Sequence, residues 1–178
     1  STRMLTCGED LGMIPDCVPD VMKELRILSL EIQRMPKDPH SEFADTWHYP
    51  YLSVCATSTH DMSPLRAWWR EDRGVTQRFW NQVLGRQGEA PADCNPEISR
   101  SIIMMHLQSA SMLAILPLQD YLSLKPELCL ADPEKERINV PAISPFYWRF
   151  RMKPTLESLI NDDITEYIHG LVRECGRK

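Results

Sequence analysis

Two pairs of ionisable residues stand where short apolar runs stop, and both have the makeup of a reactive site. His60 and Asp61 close residues 52–61, LSVCATSTHD. Leu52, Val54, Cys55 and Ala56 form an apolar run of the kind a covered parallel strand shows. The hydroxylated Thr57, Ser58 and Thr59 follow. Glu9 and Asp10 come after the short run 4–7, MLTC, inside the loop 8–12, GEDLG. Ligands of α/β folds collect at the carboxyl ends of strands, so each pair is placed for chemistry. Gly8 and Gly12 give the loop backbone conformations closed to other residues, so both carboxylates can be aimed inward.

The chemistry these groups suit is proton transfer to and from oxygen. Asp10 is a like charge beside Glu9, and a like charge raises the pKa of a carboxyl group. A raised Glu holds a proton near neutral pH and delivers it to a leaving oxygen. His60, next to Asp61, is suited to hydrogen-bonding a hydroxyl. Carboxylates in such a set flank the developing oxocarbenium ion of glycosidic-bond cleavage. Spacing alone leaves equally open a structural reading, in which the carboxylates cap the turns and helices that follow strands.

The elements that must hold these residues alternate between strand and helix. Residues 5–7 are a minimal strand. Val18, Val21, Met22 and Leu25 repeat at helical spacing over 16–25, with Pro19 in the first turn. Residues 27–32 are the next strand, stopped by Pro36 and Pro39. A loop to Pro50 carries Trp47, His48 and Tyr49, with Tyr51 just beyond. Ser63-Pro64 starts a helix over about 63–71 with Leu65, Trp68 and Trp69 inward. A second covers 76–84, with Gly85 as its stop. Residues 96–112 read as one long helix, with Ile98, Ile102, Met105 and Ser109 on one face and His106 packed beside it. Residues 113–118 are an apolar strand ending at Gln119-Asp120, and residues 156–172 are helical. Four strands joined by crossovers mean a parallel sheet with helices outside.

Bulk properties narrow the classes. The chain has 178 residues, 43% hydrophobic and 25% charged, and a net charge of -5. It is long enough for a sizeable core. The acidic balance and the lack of a basic run argue against a nucleic-acid backbone as main partner and fit a neutral substrate. No apolar run approaches a membrane span. Cysteines at 7, 17, 55, 94, 129 and 175 form no CxxC pair and no Cys/His ligand pattern, so reduced thiols in a cytoplasmic protein are expected, and no metal. GEDLG has neither phosphate-loop spacing, so no nucleotide cofactor is expected.

At this point the residues reach a family. CGEDLG at 7–12, STHD at 58–61 with LRAWW at 65–69, ILPLQD at 115–120, and RINVP at 137–141 with YWR at 147–149 resemble, in this order, the closing motifs of the 4-α-glucanotransferases. These are the amylomaltases or disproportionating enzymes of glycoside hydrolase family 77. With LEIQRMP at 30–36 and VCATSTHD at 54–61, the chain is most similar to the branch containing the cytosolic disproportionating enzyme of plants and its bacterial relatives. The resemblance implies an α/β fold, with residues 1–178 as the C-terminal half of a (β/α)₈ TIM barrel. It implies transfer of glucosyl or maltosyl units, with retention, between α-1,4-glucans or maltose and an acceptor sugar. Glu9 matches the family's acid/base and Asp61 its transition-state-stabilising carboxylate. Asp10 and His60 match residues around the sugar at the cleavage point, and Asn139 and Pro141 a substrate-side loop.

One departure from the family matters. Its nucleophile is the Asp of an Arg-x-Asp-His motif, and no such motif occurs in these 178 residues. A retaining mechanism requires that carboxylate. The expectation is therefore a C-terminal part of a longer protein, inactive alone. Its partners are an α-glucan or maltose, the N-terminal half of the barrel, and a second copy wherever strand edges stay open. Two rival readings remain. In one, the 47–51 loop and Trp148 stack on sugar faces in a non-catalytic binding or assembly module. In the other, the chain is an unrelated α/β hydrolase, which would need a GxSxG elbow or a metal triad that the sequence does not have.

Overall fold

The computed structural model describes residues 4–145 and 148–178. Tyr147 of the YWR motif lies outside them. The chain forms two compact units. One runs to Ala56 and takes in Gln108–Ile115; the other comprises Thr57–Leu107 and Leu116–Lys178.

The first unit is built on a parallel sheet. Its strands are β1 (Ser29–Ile32), β2 (Ser53–Ala56) and β3 (Leu113–Ala114), in that order across three strands. Ser29 pairs with Ser53, Ile32 with Ala56, and Val54 with Leu113. Every residue of β2 is buried, as a strand covered on both faces requires. The expected first strand shrinks to a single parallel bridge between Cys7 and Leu28. Helix α1 (Val18–Leu25) keeps Pro19 in its first turn, where the missing N–H costs nothing. It turns Met22 inward. Arg26 then takes a left-handed φ of 54°, and its N–H closes onto the Lys23 and Met22 carbonyls.

The second unit is helical. Helix α2 (Leu65–Glu71) follows Pro64, which sits at the N-cap and not inside the first turn. Helix α3 (Arg73–Arg78) begins earlier than its apolar pattern suggests, because the Asp72 carboxylate accepts the Gly74 and Val75 N–H groups. A π turn over Phe79–Val83 continues it, and Gly85 ends it with a φ of +64°. Trp68, Trp69 and Phe79 meet edge to face, with ring centroids 5.2 to 6.2 Å apart. Helix α4 (Pro96–Leu107) buries Ile98, Ile102 and Ile103 and packs on α7 (Ile164–Glu174), which follows α6 (Leu156–Ile160). His106 is buried, with Nδ1 2.8 Å from the Ile102 carbonyl oxygen. It is a packed helix residue, as expected.

Two expected elements are shorter. Helix α4 stops at Leu107, not at residue 112. The periodicity that reaches Ser109 is burial without helix. Ser53 Oγ donates to Ser111 Oγ at 2.7 Å, Cys55 Sγ and Ser109 Oγ are 3.2 Å apart, and Ala110 N–H donates to the Thr46 carbonyl at 3.3 Å. These contacts draw residues 108–111 toward the sheet and give their polar groups partners there. The expected strand over 113–118 keeps two residues. Pro117 has no N–H for a ladder and instead N-caps α5 (Leu118–Leu122). Gln119 and Asp120 therefore lie on a helix and not at a strand end. No described helix is long and apolar enough to cross a membrane.

Candidate active site

In the second unit the structure brings together four of the residues singled out from sequence. Asn139 Nδ2 donates to Asp61 Oδ1 at 2.6 Å. His60 Nε2 lies 3.4 Å from Asp61 Oδ2. The Trp148 ring stands 5.2 Å from the His60 ring, tilted by 40°. Asp61 thus has one oxygen held by an amide and the other beside an imidazole. His60 and Asp61 are roughly half exposed, with side-chain exposures of 47% and 43%, so an incoming molecule can reach both. Pro141 is exposed, two residues past Asn139, in a turn closed by the Ile143 N–H on the Val140 carbonyl.

Local structure explains why Asn139 arrives at Asp61. Thr57 Oγ1 donates to Asp120 Oδ2, and the Leu65 N–H donates to Asp120 Oδ1 at 2.8 Å. Buried Asp120 therefore clasps both ends of the segment that carries His60 and Asp61. The other side is a strap. A 3₁₀ turn over Pro133–Glu136 leads into Arg137 and Asn139. Glu136 Oε1 accepts from Arg66 Nη1 of α2 at 2.8 Å and from the Leu130 N–H at 2.9 Å. One turn further along α2, Glu71 meets Arg137 at 3.4 Å and also accepts from Ser63 Oγ. Burial pushes the Glu136 carboxyl above the ordinary Glu range, ahead of the Leu130 and Arg66 contacts that pull it down.

In the first unit the Glu9–Asp10 loop is fastened to the edge of β1. The Gly8 N–H donates to the Leu28 carbonyl at 2.8 Å, and Asp10 Oδ1 accepts the Leu30 N–H at 2.8 Å. Asp10 Oδ2 is paired with Lys37 Nζ at 2.7 Å. Glu9, between the two anchors, is exposed. The Asp10 carboxylate, which the sequence sets beside Glu9 as a like charge, is turned inward and paired with Lys37. Lys37 was not legible as a site residue, because its partner lies 27 positions away and nothing local marks the pair. Arg66 and Glu136, 70 positions apart, were hidden for the same reason.

The loop over 47–51 is built as an exposed, fixed ledge. Asp45 accepts the Trp47 N–H at 3.0 Å, and its other oxygen is 2.7 Å from His48 Nδ1. The Trp47 N–H, chiefly, holds the Asp45 carboxyl below the usual range. The Trp47 and Tyr51 side chains remain open to solvent, while Tyr49 is buried.

Comparison with known proteins agrees with the motifs. Residues 1–157 match the glycoside hydrolase 77 family, described as 4-alpha-glucanotransferase. The chain belongs to that family. It is 48% identical over 178 residues to the 4-alpha-glucanotransferase DPE2 of Oryza sativa subsp. japonica, an alignment covering 99% of this chain and 19% of the rice protein. It is 34% identical over 162 residues to the 4-alpha-glucanotransferase of Chlamydia trachomatis, covering 89% of this chain and 30% of that one. The fold matches the amylomaltase of Streptococcus agalactiae in its acarbose complex, with a TM-score of 0.72 and 17% identity, over 96% of this chain and 32% of that one. The amylomaltase of Corynebacterium glutamicum gives 0.64 and 16%, over 94% and 28%. The chain thus spans 19% to 32% of the length of these relatives.

Proposed function

We propose that this chain contributes the acid/base and the transition-state-stabilising carboxylate of a retaining 4-α-glucanotransferase acting on α-1,4-glucans or maltose. The observation that carries the reading is the contact of Asn139 and His60 with Asp61. Residues from two family motifs, 78 positions apart, meet on one exposed carboxylate. Parallel strands joined by helical stretches of chain fit the second half of a (β/α)₈ barrel.

In this reading Glu9 gives its proton to the glycosidic oxygen as the C1–O bond breaks and a nucleophilic carboxylate bonds to C1. Glu9 then takes the proton of the acceptor hydroxyl, whose oxygen attacks C1 and displaces that carboxylate. Asp61, oriented by Asn139, stabilises positive charge at C1 in both steps. His60 and the Pro141 turn contact the sugar, and Trp148 offers it a face. Asp10 works from beneath the loop, since each of its oxygens already has a protein donor. The nucleophile comes from a segment with the Arg-x-Asp-His motif, which is the partner these residues require. The spacing of the six cysteines, with no CxxC pair, supports a reducing, cytoplasmic setting.

The test is Glu9→Gln in the full natural chain. Loss of proton transfer lowers kcat for maltose disproportionation by about 10²- to 10⁴-fold, with maltodextrin binding retained. An unchanged rate removes Glu9 from the role. The 178 residues alone are expected to show no turnover, and clear turnover without a partner overturns the reading. The exposed Trp47 and Tyr51 favour a second reading, a non-catalytic glucan-binding module. It predicts that no added segment restores activity.

A further inference from the structure

The Glu9 loop is held by more than its own backbone. Lys37 Nζ reaches Asp10 Oδ2 at 2.7 Å, Glu31 Oε1 at 2.8 Å and Ser29 Oγ at 3.0 Å. An ammonium has three N–H donors, and all three are used. Ser29 Oγ in turn donates to Glu31 Oε1 at 2.6 Å. Asp10 and Glu31 are buried, with side-chain exposures of 6% and 9%. One cation therefore joins two buried carboxylates and a hydroxyl on β1. Through Asp10 this fixes one peptide neighbour of Glu9, while the bond from Gly8 to Leu28 fixes the other. Glu9 cannot shift along the strand edge without breaking one of these contacts.

We propose that Lys37 is a positioning residue for the acid/base, setting the place of Glu9 through Asp10 without touching the sugar. The inference rests on the role given to Glu9 above and assigns Asp10 a structural task where a sugar contact is the alternative. A displacement of about 1 Å at a reacting group can lower a rate on the order of a hundredfold, so the effect falls on kcat and not on binding.

The experiment compares two donors in the full natural chain carrying Lys37→Met. With maltose, the leaving oxygen needs the Glu9 proton and the acceptor hydroxyl must lose one. With α-maltosyl fluoride and azide, fluoride leaves with its bonding pair and azide attacks C1 with no proton to remove. The expected result is a fall of about tenfold or more in kcat on maltose, KM within about twofold, and near-normal turnover of the fluoride with azide. Lys37→Arg, which keeps the cation, recovers most of the maltose rate. Equal losses with both donors overturn the proposal, because a general structural defect does not distinguish them. An unaffected maltose rate in Lys37→Met overturns it as well. Glu9→Gln run alongside separates the levels: if that variant is fully active, the role of Glu9 itself has failed. Should Lys37→Met not fold, Asp10→Asn decides. It keeps the oxygen that accepts the Leu30 N–H, and a KM rise in place of a kcat loss rejects positioning in favour of sugar contact.

Discussion

Removing the guanidinium of Arg66 tests the strap that delivers Asn139. The Glu136 side chain is 5% exposed and Arg66 is 18% exposed. In Arg66→Met the carboxylate keeps only the Leu130 N–H on Oε1, while Oε2 is already buried without a partner. Breaking a buried ion pair by deleting one member costs about 3–5 kcal/mol, and the partial exposure of Arg66 brings the figure here to about 2–4 kcal/mol. That corresponds to a thirty- to roughly thousandfold loss of protection at the Leu130 amide, which hydrogen exchange in the full natural chain reads directly. The loss depends on pH. The folded state holds the Glu136 proton to a higher pH than the unfolded chain does. Stability contributed by this group is therefore full below the unfolded value, about 4.3, and declines as pH rises through the folded one. Taking away Arg66 pushes the upper edge of that window higher, so the defect is large at pH 7 and shrinks toward pH 4.5. Adding Glu136→Gln, which keeps an oxygen for the Leu130 N–H and removes the charge, restores at least half of the protection. A defect that is constant with pH and unrelieved by Glu136→Gln refutes the ion-pair account and leaves only lost packing of the arginine stem.

Two further results follow from single contacts. Asn139→Ala removes the 2.6 Å hydrogen bond to Asp61. A bond to a charged group is worth about 1.5–3 kcal/mol, and with Asp61 open to water the lower end applies, so under the role proposed for Asp61 kcat for maltose in the full natural chain falls about tenfold. Asn139→Asp, which sets a like charge against Asp61, falls further, and steady-state kinetics with kcat and KM separated checks both. Gly85→Ala meets no atom within 4 Å of the new Cβ, so the left-handed φ of +64° is its sole penalty. Thermal unfolding should show a loss of about 1–2 kcal/mol.

How far the sequence reaches depends on whether a signal is local. The strand at β2 and the helices α1, α2 and α7 announce themselves through runs and periods within a few residues, and the structure contains them. The π turn after Arg78 has no such mark, because its apolar residues keep ordinary helical spacing. The misplaced end of α4 is more instructive. Ser109 fits the helical face that begins at Ile98, but periodicity reports burial and not the backbone that achieves it. Tertiary hydrogen bonds to Thr46, Ser53 and Cys55 decide the matter. Pro117 is a local helix-start signal inside the apolar run 113–118, and the structure follows the proline. Among the candidate residues, Glu9, Asp10, His60, Asp61 and Asn139 stand out in the sequence because their types and motifs are informative. Lys37, Arg66 and Glu136 carry no such mark, because each is paired with a residue far away in sequence.

That division has a physical reason. Glu9 in the first unit and His60 and Asp61 in the second are each open to water. Water competes with every hydrogen bond at such positions, so an exposed contact such as that of Asn139 on Asp61 contributes less than a buried one. The fixing is done one layer beneath, where Asp10, Glu31, Asp120 and Glu136 are all buried. There a charge without a partner is expensive, and that expense makes each geometry specific. Asp10 has Lys37, Glu136 has Arg66, and Asp120 has a hydroxyl and a backbone N–H. Asp10, Asp120 and Glu136 each hold a segment that carries an exposed carboxylate or its amide partner. Substitutions in this lower layer should therefore change rate and pH response while leaving sugar affinity nearly untouched, whereas those in the upper layer at His60 or Trp148 should change affinity first.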